Sequence, residues 1–249
     1  MEGKEIAVAA SAAAGSQNIA RIIGVIGASG SGKSRWLKDG LRRMRPPRLL
    51  IWDPQDEYSE FGQVVTDTRE LVEILAALGP QDGFRIVYQP GDDMSTYRWK
   101  FDLLCEIAYQ IERLTFVVEE VADVTSASYA PPFWSRLSRK GRHRAMTLFA
   151  VTQRPAVIDK TFLGNCTLIH CCRLNDKNDI SVMAAILGVP VDDVRNLLAD
   201  PDTGVFEFIE RQMQTGRTGI GRLDSRGSHT AKAVRNVRTL PEPEPEPAT

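Results

Sequence analysis

Residues 22–34, IIGVIGASGSGKS, carry an apolar, β-branched run straight into a glycine-rich loop that ends in Lys33-Ser34. The positions Gly27, Gly32, Lys33 and Ser34 satisfy G-x-x-x-x-G-K-[ST], the spacing of a loop that cradles phosphates between a strand and a helix. Glycine lets the backbone curl until its N–H groups point inward at an anion. The helix that follows adds its positive end. On this reading Gly27, Ala28, Ser29, Gly30, Ser31 and Gly32 form the cradle. Lys33 reaches the β- and γ-phosphates of a nucleoside triphosphate, and Ser34 ligates Mg²⁺. Kinases, transporters, GTPases and DNA motors all use such a loop, so the rest of the chain must decide among them.

Outward from the loop, apolar runs alternate with helical patterns. Strands are expected at 22–27, 48–53, 84–89, 114–119, 146–152, 167–174 and 203–210. Most are continuous rather than alternating, as in strands buried on both faces. Helices are expected at 33–44, where Pro46-Pro47 stop the first, and at 68–78, 101–112, 132–140 and 176–187. A further one begins after Pro190 with acidic residues suited to a helix N-terminus. Repeated β-α-β predicts an α/β fold with a mostly parallel central sheet and helices on both faces.

The 249 residues suit one large domain or two small ones, and the formal net charge of −1 gives no global nucleic-acid signature. Cys105, Cys166, Cys171 and Cys172 form no C-x-x-C pair, so reduced core thiols are expected rather than a zinc site. No apolar stretch is long enough to span a bilayer. Residues 1–20 read as a loosely ordered leader and 21–210 as the nucleotide-binding domain. Residues 211–238 hold seven Lys/Arg against the single acid Asp224. This gives a basic arm over 211–240, solvated or engaged with nucleic acid or a partner. The tail at 241–249 is acidic, Pro-rich and expected to be disordered.

Two further strands end in polar groups. LTFVVEEVADV (114–124) closes on Glu119 and Glu120. The first acid would hold a water on Mg²⁺, and the second would orient or deprotonate an attacking water. A second acid favours water as nucleophile, and so an ATPase over a kinase. TLFAVTQRP (147–155) ends in Thr152-Gln153-Arg154, where Gln153 could sense the γ-phosphate. Three polar strand ends on one sheet edge fit the rule that ligands sit at the carboxyl ends of parallel strands.

In this order the three motifs resemble the HerA/FtsK superfamily of ring-forming DNA-pumping ATPases over about residues 22–210. VVEEVADV resembles the family's double-acid segment and AVTQRP its T-Q-R-P sensor. IWDPQDEY (51–58) resembles its second strand, and CRLNDKNDISVMAAILG (172–188) the strand and helix after the sensor. Glu119 stands where FtsK-like members usually have Asp, one methylene shorter. The resemblance implies a RecA-like (ASCE) P-loop NTPase fold, ATP and Mg²⁺ as cofactors, and a homo-oligomeric ring, pentamer or hexamer. In such a ring an Arg from one subunit completes its neighbour's site. The segment 135–146 offers Arg136, Arg139, Arg142 and Arg144, with Arg142 the first choice for that finger and Arg139 the second.

A minimal ATPase core without a membrane anchor, winged helix, barrel or nuclease domain resembles the viral genome-packaging ATPases. The implied partners are double-stranded DNA and viral portal or capsid-vertex proteins. The implied place is the cytoplasm of the infected host cell or the packaging vertex. A plasmid, conjugation or host DNA translocase of the same superfamily is the nearest alternative. A small-molecule kinase, an ABC-type ATPase and a non-hydrolysing binding module are more distant ones.

Overall fold

The computed structural model describes residues 21–224 and the backbone of 229–233, with the side chains of Arg142 and His143 outside the described atoms. One eleven-stranded sheet organises the chain. Its parallel part comprises β1 (Arg21–Ile26), β2 (Arg48–Trp52), β3 (Gln63–Val65), β4 (Phe84–Tyr88), β5 (Thr115–Val118), β6 (Thr147–Thr152) and β7 (Leu168–Cys172). Antiparallel strands β8 (Ala199–Asp200), β9 (Val205–Gln212), β10 (Thr218–Leu223) and β11 (His229–Ala233) extend it. The order is β11-β10-β9-β7-β1-β6-β5-β2-β4-β3, with β8 paired to β9.

The helices are α1 (Lys33–Met44), α2 (Thr68–Ala76), α3 (Tyr97–Gln110), α4 (Pro132–Lys140), α5 (Lys160–Asn165), α6 (Lys177–Leu187) and α7 (Val191–Arg195). Strand alternation splits the core into two. Ile23 and Val25 of β1 face the cluster that holds Leu37 and Leu41 of α1. Ile22 and Ile26 face the larger cluster under α2 to α7. Thus α1, with Tyr58 and Phe61, covers one face, and the remaining helices cover the other.

Local chemistry sets the boundaries. Asp67 and Asp176 cap α2 and α6 by accepting hydrogen bonds from backbone N–H groups of their first turns. Gly188 closes α6 in the left-handed region (φ 66°). Helix α3 starts earlier than its apolar pattern suggested, at Tyr97, because a short 3-10 turn over Met94–Thr96 feeds directly into it.

The C-terminal organisation differs from expectation. The boundary foreseen at 210 falls inside β9, and 218–223 of the expected basic arm form β10. Phe208, Ile209 and Leu223 are buried there, so an apolar sheet edge outweighs the local excess of Arg. Gly219 and Gly221 hid β10 in the sequence, since glycine is a poor strand former. The structure needs Gly221, because a Cβ there would lie 2.3 Å from the Phe208 ring. The expected leader at 1–20, the end of the arm at 234–240 and the tail at 241–249 lie outside the described residues. The four cysteines are buried and free.

A run of rings joins sheet to helices: Trp52 lies 5.2 Å from Phe101, Phe101 5.5 Å from Trp134, and Trp134 5.2 Å from Phe162. Phe101→Ala is expected to cost about 3–5 kcal/mol of unfolding free energy, measured by urea denaturation.

Candidate nucleotide site

The carboxyl ends of β1, β6 and β5 lie side by side, with β6 between the glycine loop and the double acid. Gly27 N–H donates to Thr152 O (3.1 Å) and Ala28 N–H to Arg173 O (2.8 Å), which roots the loop in both strands flanking β1. Gly30 and Gly32 adopt φ of 69° and 94°, a region that favours glycine. A Cβ on Gly27 would lie 2.7 Å from the Cys172 Cβ, and one on Gly32 would lie 2.8 Å from the Phe206 ring.

Lys33 is buried and its Nζ donates to Ala28 O (2.9 Å). Burial lowers its pKa below the ordinary lysine value, with the Glu119 carboxylate the largest opposing influence. Ser31 Oγ is buried without a hydrogen-bond partner. So is Glu120 Oε2. Buried polar atoms without partners are costly, and a phosphate and its attacking water would supply partners.

Glu120 follows β5 in the left-handed region (φ 44°), an uncommon position for a side-chain-bearing residue. Its Oε1 accepts from the Thr152 hydroxyl (3.0 Å), and the Gln153 N–H approaches the same oxygen at 3.4 Å. Thr152 Oγ1 in turn accepts from Arg154 N–H (3.1 Å). The structure therefore places Gln153, Glu120 and the root of the loop together at the carboxyl end of β6. Arg154 is fixed to the side. Its Nε donates to Asp179 Oδ2 (2.9 Å), and Asp179 Oδ1 accepts from Ala156 N–H.

Glu119 is 4% exposed. Burial pushes its carboxyl up to about 7, against the Tyr58 hydroxyl, which donates to Oε2 at 2.7 Å, and against Lys33. Behind it Asp53, fully buried, accepts from the N–H groups of Glu57 and Tyr58. Burial raises the Asp53 carboxyl as well.

The far side of the loop is braced by β7 and β9. Arg35 donates to Gly204 O and Asp224 O. Trp36 stacks on His170 with centroids 4.0 Å apart. The fully buried His170 contacts Glu210 (2.8 Å) and Cys172 (3.3 Å). Burial lowers the pKa of its imidazole, yet Cys172 and Glu210 outweigh it and hold the value up to about 9.

Mg²⁺ prefers oxygen ligands and often takes only one or two from protein, the rest coming from phosphates and water. Ser34 and Glu119 fit that role beside the loop. Among the described residues no group of three His, Cys, Asp or Glu could hold a metal by itself.

The candidate finger residues lie elsewhere. Arg139 ends α4, and its Nε donates to Ser135 O of the same helix. The backbone of Arg142 forms the turn before β6. Arg136 and Arg144 flank the Tyr109 ring, at 4.3 and 5.0 Å. This turn sits at the amino end of β6, the length of that strand (~20 Å) away from Gln153.

Sequence reasoning did not single out Tyr58 and Asp179, and it marked Thr152 only as part of the T-Q-R-P strand end without its tie to Glu120. IWDPQDEY marked the segment of Tyr58 but not its partner, Glu119. The partners of Thr152 and Asp179 carry no signal until the strands are aligned.

No protein-family model matches the sequence. Protein P9 of Pseudoalteromonas phage PM2 is 29% identical over 182 residues, covering 70% of this chain and 78% of P9. The genome packaging NTPase B204 of Sulfolobus turreted icosahedral virus 2, solved with AMPPCP, superposes with a TM-score of 0.63 at 17% identity, covering 80% of this chain and 96% of B204. The chain has the fold of a viral genome-packaging NTPase. VirB4 of Thermoanaerobacter pseudethanolicus shares that fold at a TM-score of 0.57 and 13% identity, over 88% of this chain and 90% of VirB4. The α/β, P-loop NTPase class expected from the sequence is thus the observed one. No described helix is long and apolar enough to cross a membrane.

The raised Glu119 carboxyl gives a pH prediction. Between 4.5, its ordinary value, and about 7 the folded chain holds a proton that the unfolded chain has released. Stability therefore falls as pH rises through that window. Without nucleotide, wild type is expected to lose roughly 1–3 kcal/mol relative to Glu119→Gln across it, measured by denaturant melts at each pH.

Proposed function

We propose that this protein hydrolyses ATP with Mg²⁺ and uses the energy to drive double-stranded DNA into a viral capsid. The observation that carries the reading is the orientation of Glu120. One carboxylate oxygen is tied to Thr152, and the other is buried and unpartnered beside the glycine loop. A carboxylate so held can take a proton from an attacking water.

On nucleotide binding, Lys33 exchanges its bond to Ala28 O for the phosphates, and Ser31 Oγ gains a partner. Ser34 and Glu119 would hold Mg²⁺, which supplies charge neutralisation along the phosphates when bound. Glu120 orients and deprotonates the water. Gln153, whose N–H approaches the Glu120 carboxylate, reports phosphate loss along β6. Arg142, or else Arg139, lies at the opposite edge of the sheet and acts on a neighbour's site in a homo-oligomeric ring, pentamer or hexamer.

The likeness of B204 to this chain over nearly the whole length of B204 supports a packaging role, and the likeness of P9, a phage protein, supports a viral setting. The partners on this reading are double-stranded DNA and a portal or capsid vertex, met in the cytoplasm of an infected host cell. DNA contacts through the backbone would make translocation tolerant of sequence and sensitive to salt.

The test is ATP turnover with and without long double-stranded DNA. Wild type is expected to be stimulated by DNA, cooperatively with protein concentration and less so as salt rises. Glu120→Gln is expected to lose ~10²–10⁴ of the rate while nucleotide affinity is retained. Turnover that ignores DNA but responds to a small-molecule acceptor would sink the reading.

A further inference from the structure

We propose that Tyr58 is a positioning residue that holds Glu119 in its metal-facing orientation; the inference rests on the ATPase reading above. The segment after β2 is folded for this task. Asp53 accepts from the N–H groups of Glu57 and Tyr58, both at 2.9 Å, and so closes residues 53–58 into a tight loop. The loop turns the Tyr58 side chain into the core beneath α1. There it is fully buried, with Phe61 at 6.1 Å and the Lys38 ammonium 5.2 Å over its ring.

A buried tyrosine hydroxyl needs a partner, and a carboxylate is the strongest one open to it. Tyr58 donates to Glu119 Oε2 at 2.7 Å, within the range of a charge-assisted bond. The same strand end fixes the Glu119 backbone, whose N–H donates to Trp52 O at 3.0 Å. Glu119 is thus held at two points by residues of one segment. The hydroxyl is also the single hydrogen-bond donor to its carboxylate among the described residues.

The surroundings make that donor matter. Glu57 and Glu120 act on Glu119 as like charges, and burial disfavours its ionised form. A long carboxylate in such a place would turn away or take up a proton unless a donor fixed it. Tyr58 occupies Oε2 and leaves Oε1 to face a hydrated cation. Glu is one methylene longer than Asp and has one more torsion to restrain, which the hydroxyl does. Groups that orient a ligand in this way typically set metal affinity by about 10–100-fold. Tyr58 touches neither loop nor nucleotide in this account, and it acts through Glu119 alone.

The test compares full-length wild type, Tyr58→Phe, Glu119→Gln and the double variant. Tyr58→Phe keeps the ring in the core and removes only the hydroxyl. Binding of Mn²⁺ to the protein–ATP complex is followed by electron paramagnetic resonance. A fluorescent ATP analogue in EDTA reports metal-free nucleotide affinity. Tyr58→Phe is expected to weaken Mn²⁺ roughly tenfold, leave metal-free nucleotide affinity unchanged, and add nothing on the Glu119→Gln background. The proposal is overturned if Mn²⁺ binds Tyr58→Phe as it binds wild type. It is equally overturned if metal-free affinity falls in step, or if the two substitutions add. In each of these cases the ATPase reading stands. Wild type that binds neither nucleotide nor Mn²⁺ would instead remove that reading, and the inference with it.

Discussion

Thr152 is the point on which the site depends. Its carbonyl accepts from Gly27 N–H, its hydroxyl donates to Glu120, and the same oxygen accepts from Arg154 N–H. One residue at the end of β6 therefore sets the root of the phosphate loop, the aim of the candidate base and the turn that carries Gln153. This is possible because β6 lies between β1 and β5, so its end is within reach of both neighbours. Some 20 Å away at the other end of that strand lies the Arg-rich turn.

The site is stabilised less by its own contacts than by the sheet beneath it. Lys33, Asp53, Glu119 and Glu120 are all buried. Burial is the largest influence that drives the Lys33 pKa down and the Asp53 and Glu119 pKa values up. Charged groups in such a place are costly unless paired. The two apolar clusters on either side of the sheet supply the compensating free energy, and they also keep the strand ends in register. The brace from β7 and β9 contributes on the other flank, through Phe206 under Gly32 and the stack of Trp36 on His170.

Much of this was legible in the sequence, and what was missed has a physical reason. Gly27 to Ser34, Glu119, Glu120 and Gln153 announce themselves because each is a polar group set locally against a buried strand. The parallel strands show as apolar runs for the same reason. Tyr58 and Asp179 are ordinary residues until folding places them opposite Glu119 and Arg154, and the tie of Thr152 to Glu120 spans 32 residues that the local motif does not bridge. β10 was hidden by its glycines, of which Gly221 admits the Phe208 ring. The basic character of 211–223 suggested a free arm, yet residues such as Arg222, paired with Glu207 at 3.2 Å, simply decorate an edge of the sheet. Charge was a poor guide there because the apolar face of the same strands decides where they go.

The central claim is that Thr152 aims Glu120 at the attacking water. Single-turnover ATP hydrolysis by Thr152→Val, which keeps the shape and loses the hydroxyl, tests it most directly. The account predicts that the chemical step slows by about 10–100-fold while ATP binding is unchanged. Hydrolysis at the wild-type rate would show that Glu120 is aimed by something else and would contradict the account.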